Sequence, residues 1–414
     1  MKSSFVVVVT ITAITSLFLI ATGCVSTPPP EPEEKVEVAE EEAKMGEPYK
    51  MGAVFPITGG ASSLGVPGRD TAQMLAEELN AQGGIQGPDG MMHPLELIIY
   101  DTESDETKGV LAAKKLIEED QVSVIIGPTQ SGTTLAIVDT VQKAGVPLIS
   151  TASSVKIVEP VDERKWVFKS VINDREFAKV LLDYLKNQGI TKVAWMSVNT
   201  GYGDSGKGEV EKAAPDLGID IVASERFEAS DTDMSAQLTK IRGTDAEALI
   251  IWSIPPSAAI ANKNAYELGM EIPIFQSAGV GNQAFIDLAT KEAVEGVMVV
   301  NWKLLVADQL PDSDPQKEIL LKYIRDFQAT YDSPPSVFGG ISADAFNLAV
   351  LAMEQAGPNR AKIRDEIESI QGYMGISGIY EMSASDHSGL DERSLVMIRI
   401  EDGKWTLVEG YGGD

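Results

Sequence analysis

Residues 49–84, YKMGAVFPITGGASSLGVPGRDTAQMLAEELNAQGG, have the pattern of one strand and one helix joined by a loop rich in glycine and small polar residues. The apolar run over 49–55 predicts a buried strand, and apolar residues at helical spacing over 68–82 predict a helix with one buried face. Gly83 and Gly84 are typical of a helix end. The stretch therefore has the pattern of the first half of a βαβ unit.

The same alternation of short apolar strands and amphipathic helices continues along the chain. Strands predicted at 95–100, 122–126 and 147–150 alternate with helices, and a second series of strands and helices begins near residue 166. Such alternation predicts parallel strands with helices on both faces of the sheet. The expected fold class is α/β, with two lobes that each contain a doubly wound parallel sheet.

Segments are left over after the second series, so each lobe must be completed by chain that returns from the other lobe. Three crossing strands would then form a hinge, near residues 168–172, 298–303 and 372–382. The predicted lobes are 49–170 plus 302–373 and 171–301 plus 374–414.

The N-terminal residues have the features of an export signal. A positive charge at Lys2, an apolar run over 5–21 and small residues before Cys24 are typical of a secretory signal peptide. Cys24 is the sole cysteine of the chain and stands where a lipoprotein signal is cleaved and the thiol is acylated. The alternative is an uncleaved membrane anchor, for which a run of roughly 17 residues is short.

We therefore expect residues 1–23 to be a signal peptide and Cys24 to carry a lipid. Residues 24–48 are rich in proline and glutamate and poor in large apolar side chains, which predicts a disordered acidic tether. The expected location is extracytoplasmic, with the protein anchored to the cell membrane through Cys24.

Composition excludes several classes of function. The net charge of −28 argues against nucleic-acid binding, because phosphates would be repelled. With one cysteine and two distant histidines, His93 and His387, the sequence predicts no metal site, and we expect both histidines at the surface. The chain contains no G-x-S-x-G nucleophile pattern either. We expect neither an enzyme nor a cofactor.

Residues 201–206, GYGDSG, form a G-x-G-x-x-G pattern after a predicted strand. This pattern leaves open an exported dehydrogenase that binds a dinucleotide. Two residues separate the glycines from the strand, however, and Tyr202 would crowd a pyrophosphate. We therefore interpret the segment as part of a different kind of ligand site.

Several strand ends carry small, hydroxyl-rich loops, and ligands of open α/β sheets bind at these carboxyl ends. The loops are 58–63, 127–134, 150–154 and 199–204. Loop 127–134 opens a helix, whose N–H groups and dipole favour an anion such as a carboxylate. Each loop taken singly could be a helix cap, but together they predict a shared ligand platform. Four aromatic side chains could wall an apolar pocket, with core packing as the alternative for each: Tyr202, Trp252, Phe275 and Phe338.

A collinear set of segments resembles the type I periplasmic substrate-binding proteins of ABC importers, in particular the branched-chain amino acid (leucine/isoleucine/valine-binding) group. The resemblance covers roughly 49–410. Its segments are VFPITG (54–59) with LG (64–65), NAQGGI (80–85), YD (100–101), IGP (126–128), VPLIS (146–150), YG (202–203) and GYMGISG (372–378).

The resemblance implies two lobes, a three-strand hinge, closure around a small molecule, and ABC permease subunits as partners. It also implies ligand-binding residues. The carboxylate would be held by Gln130 and Ser131 and by the loop Ala152, Ser153 and Ser154, and Tyr202 would reach in from the second lobe.

The sequence departs from the family at the position that neutralises the ligand's ammonium group. An acid is expected in the loop over 276–282, where this chain has Ala278 and no charge. A buried ammonium without a counter-charge is costly, and Leu64 replaces a polar or aromatic contact. We therefore expect a carboxylate ligand without an amine, such as an aromatic or short aliphatic acid. Binding of a branched-chain or other amino acid is the alternative, and a ligand-sensing receptor module is the alternative class.

Overall fold

In the computed structural model, which describes residues 45–410, the chain first builds a five-stranded parallel sheet. The elements in chain order are β1 (Tyr49–Phe55), α1 (Ser62–Ala81), β2 (Ile85–Gln86), β3 (Met92–His93), β4 (Leu95–Asp101), α2 (Glu106–Glu118), β5 (Val124–Ile126), α3 (Ser131–Ala144), β6 (Leu148–Ser150) and β7 (Val167–Lys169). The strand order is β4-β1-β5-β6-β7, and β2 and β3 form a separate short hairpin.

The chain then builds a seven-stranded sheet. The next elements are α4 (Asp174–Asn187), β8 (Lys192–Val198), α5 (Gly201–Leu217), β9 (Asp220–Phe227), α6 (Ser235–Arg242), β10 (Ala248–Trp252), α7 (Ser257–Glu267), β11 (Ile274–Gln276), α8 (Gln283–Ala289), α9 (Lys291–Val294) and β12 (Met298–Trp302). After these come α10 (Lys317–Tyr331), α11 (Val337–Ala356), α12 (Arg360–Glu368), β13 (Gln371–Met374), β14 (Ile379–Glu381), β15 (Leu395–Glu401) and β16 (Lys404–Leu407).

The strand order of this second sheet is β16-β15-β12-β11-β10-β8-β9. Strands β8 to β12 are parallel, whereas β15 and β16 extend the sheet in antiparallel orientation. The predicted α/β class with two doubly wound lobes is confirmed. The antiparallel pair was not predicted, because the sequence pattern does not show which sheet a late strand joins.

Helices α10 and α11 return to the first sheet and pack against α1. The Tyr323 hydroxyl lies 2.8 Å from the Thr71 hydroxyl, and the Tyr331 hydroxyl donates to the carbonyl of Asp70 at 2.7 Å. Helix α11 is the one helix within 45–410 that is long and apolar enough to span a membrane, and 83% of its apolar stretch is buried inside the protein. It is therefore the core helix of the first lobe.

The third predicted hinge strand, near 372–382, is instead the hairpin β13–β14. The Asp344 carboxylate of α11 accepts the N–H groups of Ile376 and Ser377, each at 2.7 Å, and thereby fixes the turn of the hairpin. The chain reaches the second sheet after this hairpin, through the segment before β15. The predicted lobe boundary at 373/374 falls inside the hairpin, and the division of the chain between the lobes stays a prediction.

Helix α1 begins six residues before the predicted start, at Ser62. Glycines allow its first turns to lie directly against β1, since a Cβ added to Gly65 would collide with the carbonyl group of Pro56. Pro67 lies inside the helix, and a proline usually indicates a helix boundary. The early start places Leu64 on the helix, where it faces the space between the lobes.

Both histidines are buried, so the expectation of surface positions is wrong. His93 stacks on Tyr49 with ring centroids 4.0 Å apart, and its Nδ1 lies 2.7 Å from the carbonyl oxygen of Glu47. His387 stacks on Phe168 at 4.2 Å and contacts the carbonyl of Val167 at 2.9 Å. Aromatic neighbours and backbone acceptors distant in sequence explain the burial of both rings.

Residues 1–44 and 411–414 lie outside the described residues. The signal peptide, Cys24 and most of the tether therefore stay predictions. Residues 45–48, at the end of the predicted tether, are bound to the first lobe, where the N–H of Gly46 donates to the carbonyl of Met92 at 2.8 Å.

A candidate ligand-binding cavity between the lobes

A cavity of about 420 Å³ lies where the carboxyl ends of the strands of both sheets face each other. The first lobe contributes α1, the start of α3 and the loop after β6, and the second contributes the start of α5 and the loops after β10 and β11. Val171 and Trp302, next to the connections between the sheets, also line it. The volume is within the usual range for small-molecule sites, about 300–1,000 Å³.

The N-terminus of α3 opens directly into this cavity. Ser131 is the first residue of the helix and is 3% exposed. The first backbone bond of this turn runs from the N–H of Thr134 to the carbonyl of Gln130 at 2.9 Å. Consequently the N–H groups of Ser131, Gly132 and Thr133 have no acceptor among the described residues. Together with the helix dipole they form a site suited to an anion.

The loop after β6 forms the neighbouring wall. Thr151, Ala152 and Ser153 line the cavity. The Thr151 hydroxyl donates to the Thr129 hydroxyl at 3.1 Å, and the N–H of Ala152 donates to the Ser150 hydroxyl at 3.1 Å. Ser154, also predicted to bind ligand, is fully buried behind the loop and does not line the cavity.

Tyr202 enters the cavity from the first turn of α5 in the second lobe. Its hydroxyl accepts the N–H of Gly279 at 3.1 Å, and burial raises the pKa of this phenol well above its usual value. Ala278 and Gly279 line the cavity beside it. The ring therefore forms a neutral, fixed wall with a hydroxyl group held against the loop after β11.

The four candidate aromatic residues divide between the cavity and the core. Tyr202 and Phe338 line the cavity, whereas Trp252 and Phe275 do not. Trp252 is fully buried and stacks on Trp195 with ring centroids 5.6 Å apart. It supports the ring of Tyr202 from behind, at a centroid distance of 5.7 Å.

Two other aromatic residues line the cavity and were missed by sequence analysis. Phe177 of α4 and Trp302 at the end of β12 pack edge to face, with ring centroids 5.0 Å apart. Their apolar spacing in the sequence is the same as that of core residues, so no local signal distinguished them. They give the cavity an apolar wall.

Glu106 is the one charged residue among the described residues that line the cavity. It is the first residue of α2, it is exposed, and its carboxylate lies against the first turn of α3, since a Cβ added to Gly132 would collide with Oε1. Sequence analysis missed it because an acid was expected after β11. Within 45–410, no cluster of three or more His, Cys, Asp or Glu residues could hold a metal ion.

The two lobes contact each other next to residues that line the cavity. The first turns of α3 and α5 meet there, and a Cβ added to Gly201 would stand 3.2 Å from the backbone nitrogen of Gly132. Beside this contact, the N–H of Val155 donates to the Ser205 hydroxyl at 3.4 Å. The two lobes therefore contact each other beside the cavity.

Comparison with known proteins connects this architecture to a family. The sequence profile described as "Periplasmic binding protein" matches residues 48–404. The leucine-, isoleucine-, valine-, threonine- and alanine-binding protein of Pseudomonas aeruginosa is 24% identical over 309 residues, 74% of this chain and 78% of that protein. A Leu/Ile/Val-binding protein of Rhizobium johnstonii is 24% identical over 87% of this chain and 93% of its own length.

Solved structures show the same fold. An extracellular ligand-binding receptor from Rhodopseudomonas palustris superposes with a TM-score of 0.81 and 29% identity, over 87% of this chain and 99% of that chain. A branched-chain amino acid transporter substrate-binding protein from Streptococcus pneumoniae, solved with isoleucine, gives a TM-score of 0.76 and 24% identity, over 87% and 99% of the two chains.

Proposed function

This chain belongs to the periplasmic binding protein family, and we propose that it captures a small molecule outside the cytoplasm for an ABC importer. In this proposal the lobes close around the ligand, no reaction is catalysed, and the closed form docks on permease subunits. A ligand can shift the lobes toward closure by its higher affinity for the closed state. The cavity between two lobes that contact each other beside it supports this mechanism.

The ligand is a carboxylate with a small apolar body. The observation that carries this assignment is the start of α3, where three N–H groups without described acceptors face the cavity. The cavity lining also includes the apolar rings of Phe177, Trp302 and Phe338. A carboxylate at α3 would place an aliphatic or aromatic body against these rings.

The names of the relatives favour an aliphatic α-amino acid as the ligand. The proteins from Pseudomonas aeruginosa and Rhizobium johnstonii are both named for binding leucine, isoleucine and valine. In this chain Glu106 is the acid available to the ammonium group, because it lines the cavity next to α3. The proposed amino acid therefore binds with its carboxylate at α3 and its ammonium group toward Glu106.

A carboxylate without an amine is the second candidate. It is favoured by Ala278 and Gly279, which leave the wall after β11 uncharged, and by the apolar side chain of Leu64. The names of the relatives support an amino acid as the ligand better than they support a carboxylate without an amine, which the sequence alone favoured. The two candidates differ in one chemical group, so one titration series separates them.

The test is calorimetric titration at pH 7 with leucine, leucinamide and 4-methylpentanoate, which lacks the amine. If the ligand is an amino acid, leucine binds and each analogue binds at least about tenfold more weakly, because each lacks one charged group. Tighter binding of 4-methylpentanoate, or of benzoate, would establish the second candidate. Leucinamide that binds as tightly as leucine would overturn the carboxylate assignment.

The anchoring part of the proposal concerns Cys24, outside the described residues. We propose that the mature chain begins at a lipidated Cys24 and is tethered to the cell membrane. In a bacterial host, the Cys24→Ser variant should move from the membrane fraction to the soluble exported fraction. Retention of this variant in the membrane would instead indicate an uncleaved apolar anchor.

A further inference from the structure

Lys169, at the end of β7, is a buried cation directly behind a wall of the cavity. The residue is fully buried, and its ammonium donates to the carbonyl of Ser153 at 2.8 Å and to the side-chain oxygen of Asn173 at 2.5 Å. The carbonyl of Ser154 lies 3.4 Å from the same nitrogen. A lysine in this position holds two consecutive peptide groups of the loop after β6.

The same two carbonyl groups also accept backbone N–H groups, that of Ser153 from Asp174 at 3.1 Å and that of Ser154 from Ile157 at 3.2 Å. Together with Lys169, these bonds fix the orientation of the two peptide groups. In a trans peptide the carbonyl and the following N–H point in opposite directions. Because the carbonyl of Ser153 points toward Lys169, the N–H of Ser154 points to the opposite side of the loop. Neither it nor the N–H of Ser153 has an acceptor within the described part of the chain, and Ser153 borders the cavity.

The cation also has an electrostatic relation to the cavity. No lysine, arginine or histidine occurs among the described residues that line it. Lys169 is therefore a positive charge separated from the ligand space by one layer of backbone. Four acids face Lys169 from the surrounding elements: Asp174 and Glu176 on α4, Glu159 before β7, and Asp386 before β15.

We propose that Lys169 is a positioning residue for the ligand carboxylate, which holds the carbonyl groups of Ser153 and Ser154 on the side away from the ligand and so fixes Ser153, the residue of the pair that borders the cavity. The positive charge behind the loop supports the same anion. This inference rests on the proposed function, because it requires that the ligand carries a carboxylate. The competing explanation is a purely structural ion cluster with Asp174 and Glu176.

The test compares wild type with Lys169→Met and Lys169→Arg, titrated with leucine and leucinamide at pH 7. We expect Lys169→Met to lose about tenfold or more in leucine affinity and less than about threefold in leucinamide affinity, because the amide has no charge to stabilise. Lys169→Arg should restore at least part of the loss. Equal losses for both ligands, or an unchanged leucine affinity in a folded Lys169→Met variant, would overturn the proposal.

A pH profile decides the matter even where Lys169→Met does not fold. Burial lowers the pKa of Lys169 to about 8, whereas burial raises the pKa of Asp174 to about 6 and that of Glu176 to about 7. The favourable charge is therefore present below pH 8 and lost above it, after both acids have ionised. Leucine affinity of wild type should fall between pH 7.5 and about 9, while Lys169→Arg stays level because arginine remains charged.

A wild-type profile that matches that of Lys169→Arg would contradict the role of Lys169. The same wild-type titration separates this outcome from failure of the proposed function. If wild type binds neither leucine nor 4-methylpentanoate nor benzoate at pH 7, the carboxylate ligand is wrong and the inference falls with it. If wild type binds one of these carboxylates and both Lys169 variants bind it with the affinity and pH profile of wild type, the inference alone is wrong.

Discussion

Ser131 and Ser154 offer a paired test of which loop atoms meet the ligand. Both serines were predicted to bind the carboxylate, yet Ser131 lines the cavity at the start of α3, whereas Ser154 is fully buried outside it. Replacing Ser131 by alanine removes one hydroxyl from a charged hydrogen bond and leaves the backbone N–H groups in place. The expected loss is about 1–3 kcal/mol, or roughly 5- to 150-fold in affinity.

Ser154→Ala is the matched control. The Ser154 hydroxyl has no hydrogen-bond partner among the described residues, so its removal leaves no acceptor unpaired. We expect ligand affinity within about twofold of wild type and unchanged or slightly higher thermal stability. The assay is calorimetric titration of both variants with leucine, with melting curves recorded without ligand. A larger loss for Ser154→Ala than for Ser131→Ala would refute the placement of the ligand at α3.

Two further predictions concern the cavity's charge and its closure. Glu106→Gln should lower leucine affinity by about 0.5–1 kcal/mol and leave 4-methylpentanoate binding unchanged or tighter, since Glu106 is exposed and its interaction is partly screened. An equal loss for both ligands in titration calorimetry would contradict this role. Gly201→Val should prevent closure, because a Cβ there already stands 3.2 Å from the nitrogen of Gly132. Small-angle scattering should show ligand-induced compaction for wild type and for the control variant Gly208→Val, because a Cβ at Gly208 would meet no atom within 4 Å. Compaction of Gly201→Val would disprove that the approach of Gly201 to Gly132 is needed for closure.

The sequence predicted the platform of the cavity because parallel strands bring their carboxyl ends to one edge. Gln130 and Ser131 follow β5, Ala152 and Ser153 follow β6, and Tyr202 follows β8. All five residues line the cavity. Their location follows from strand order, which the alternation of strands and helices determines. Their role in binding stays a prediction.

Other parts of the site depend on tertiary packing that no local pattern records. Within one loop, Ser153 borders the cavity and Ser154 lies behind it. The carbonyl groups of both residues contact Lys169, which belongs to another strand. Trp252 ends a strand but packs in the core against Trp195. Glu106 reaches the cavity because α2 places it against Gly132 of α3. The sequence signal that could have identified Glu106 was its position after the end of β4, at the same edge of the sheet as the other loops of the cavity.

The central claim is tested most directly by a crystal structure of the protein grown with leucine. We expect electron density for the amino acid in the cavity between the lobes. Its carboxylate should lie within hydrogen-bonding distance of the N–H groups of Ser131, Gly132 or Thr133, and its side chain against Phe177 and Trp302. An empty cavity at saturating leucine, or a ligand whose carboxylate lies away from α3, would contradict the account.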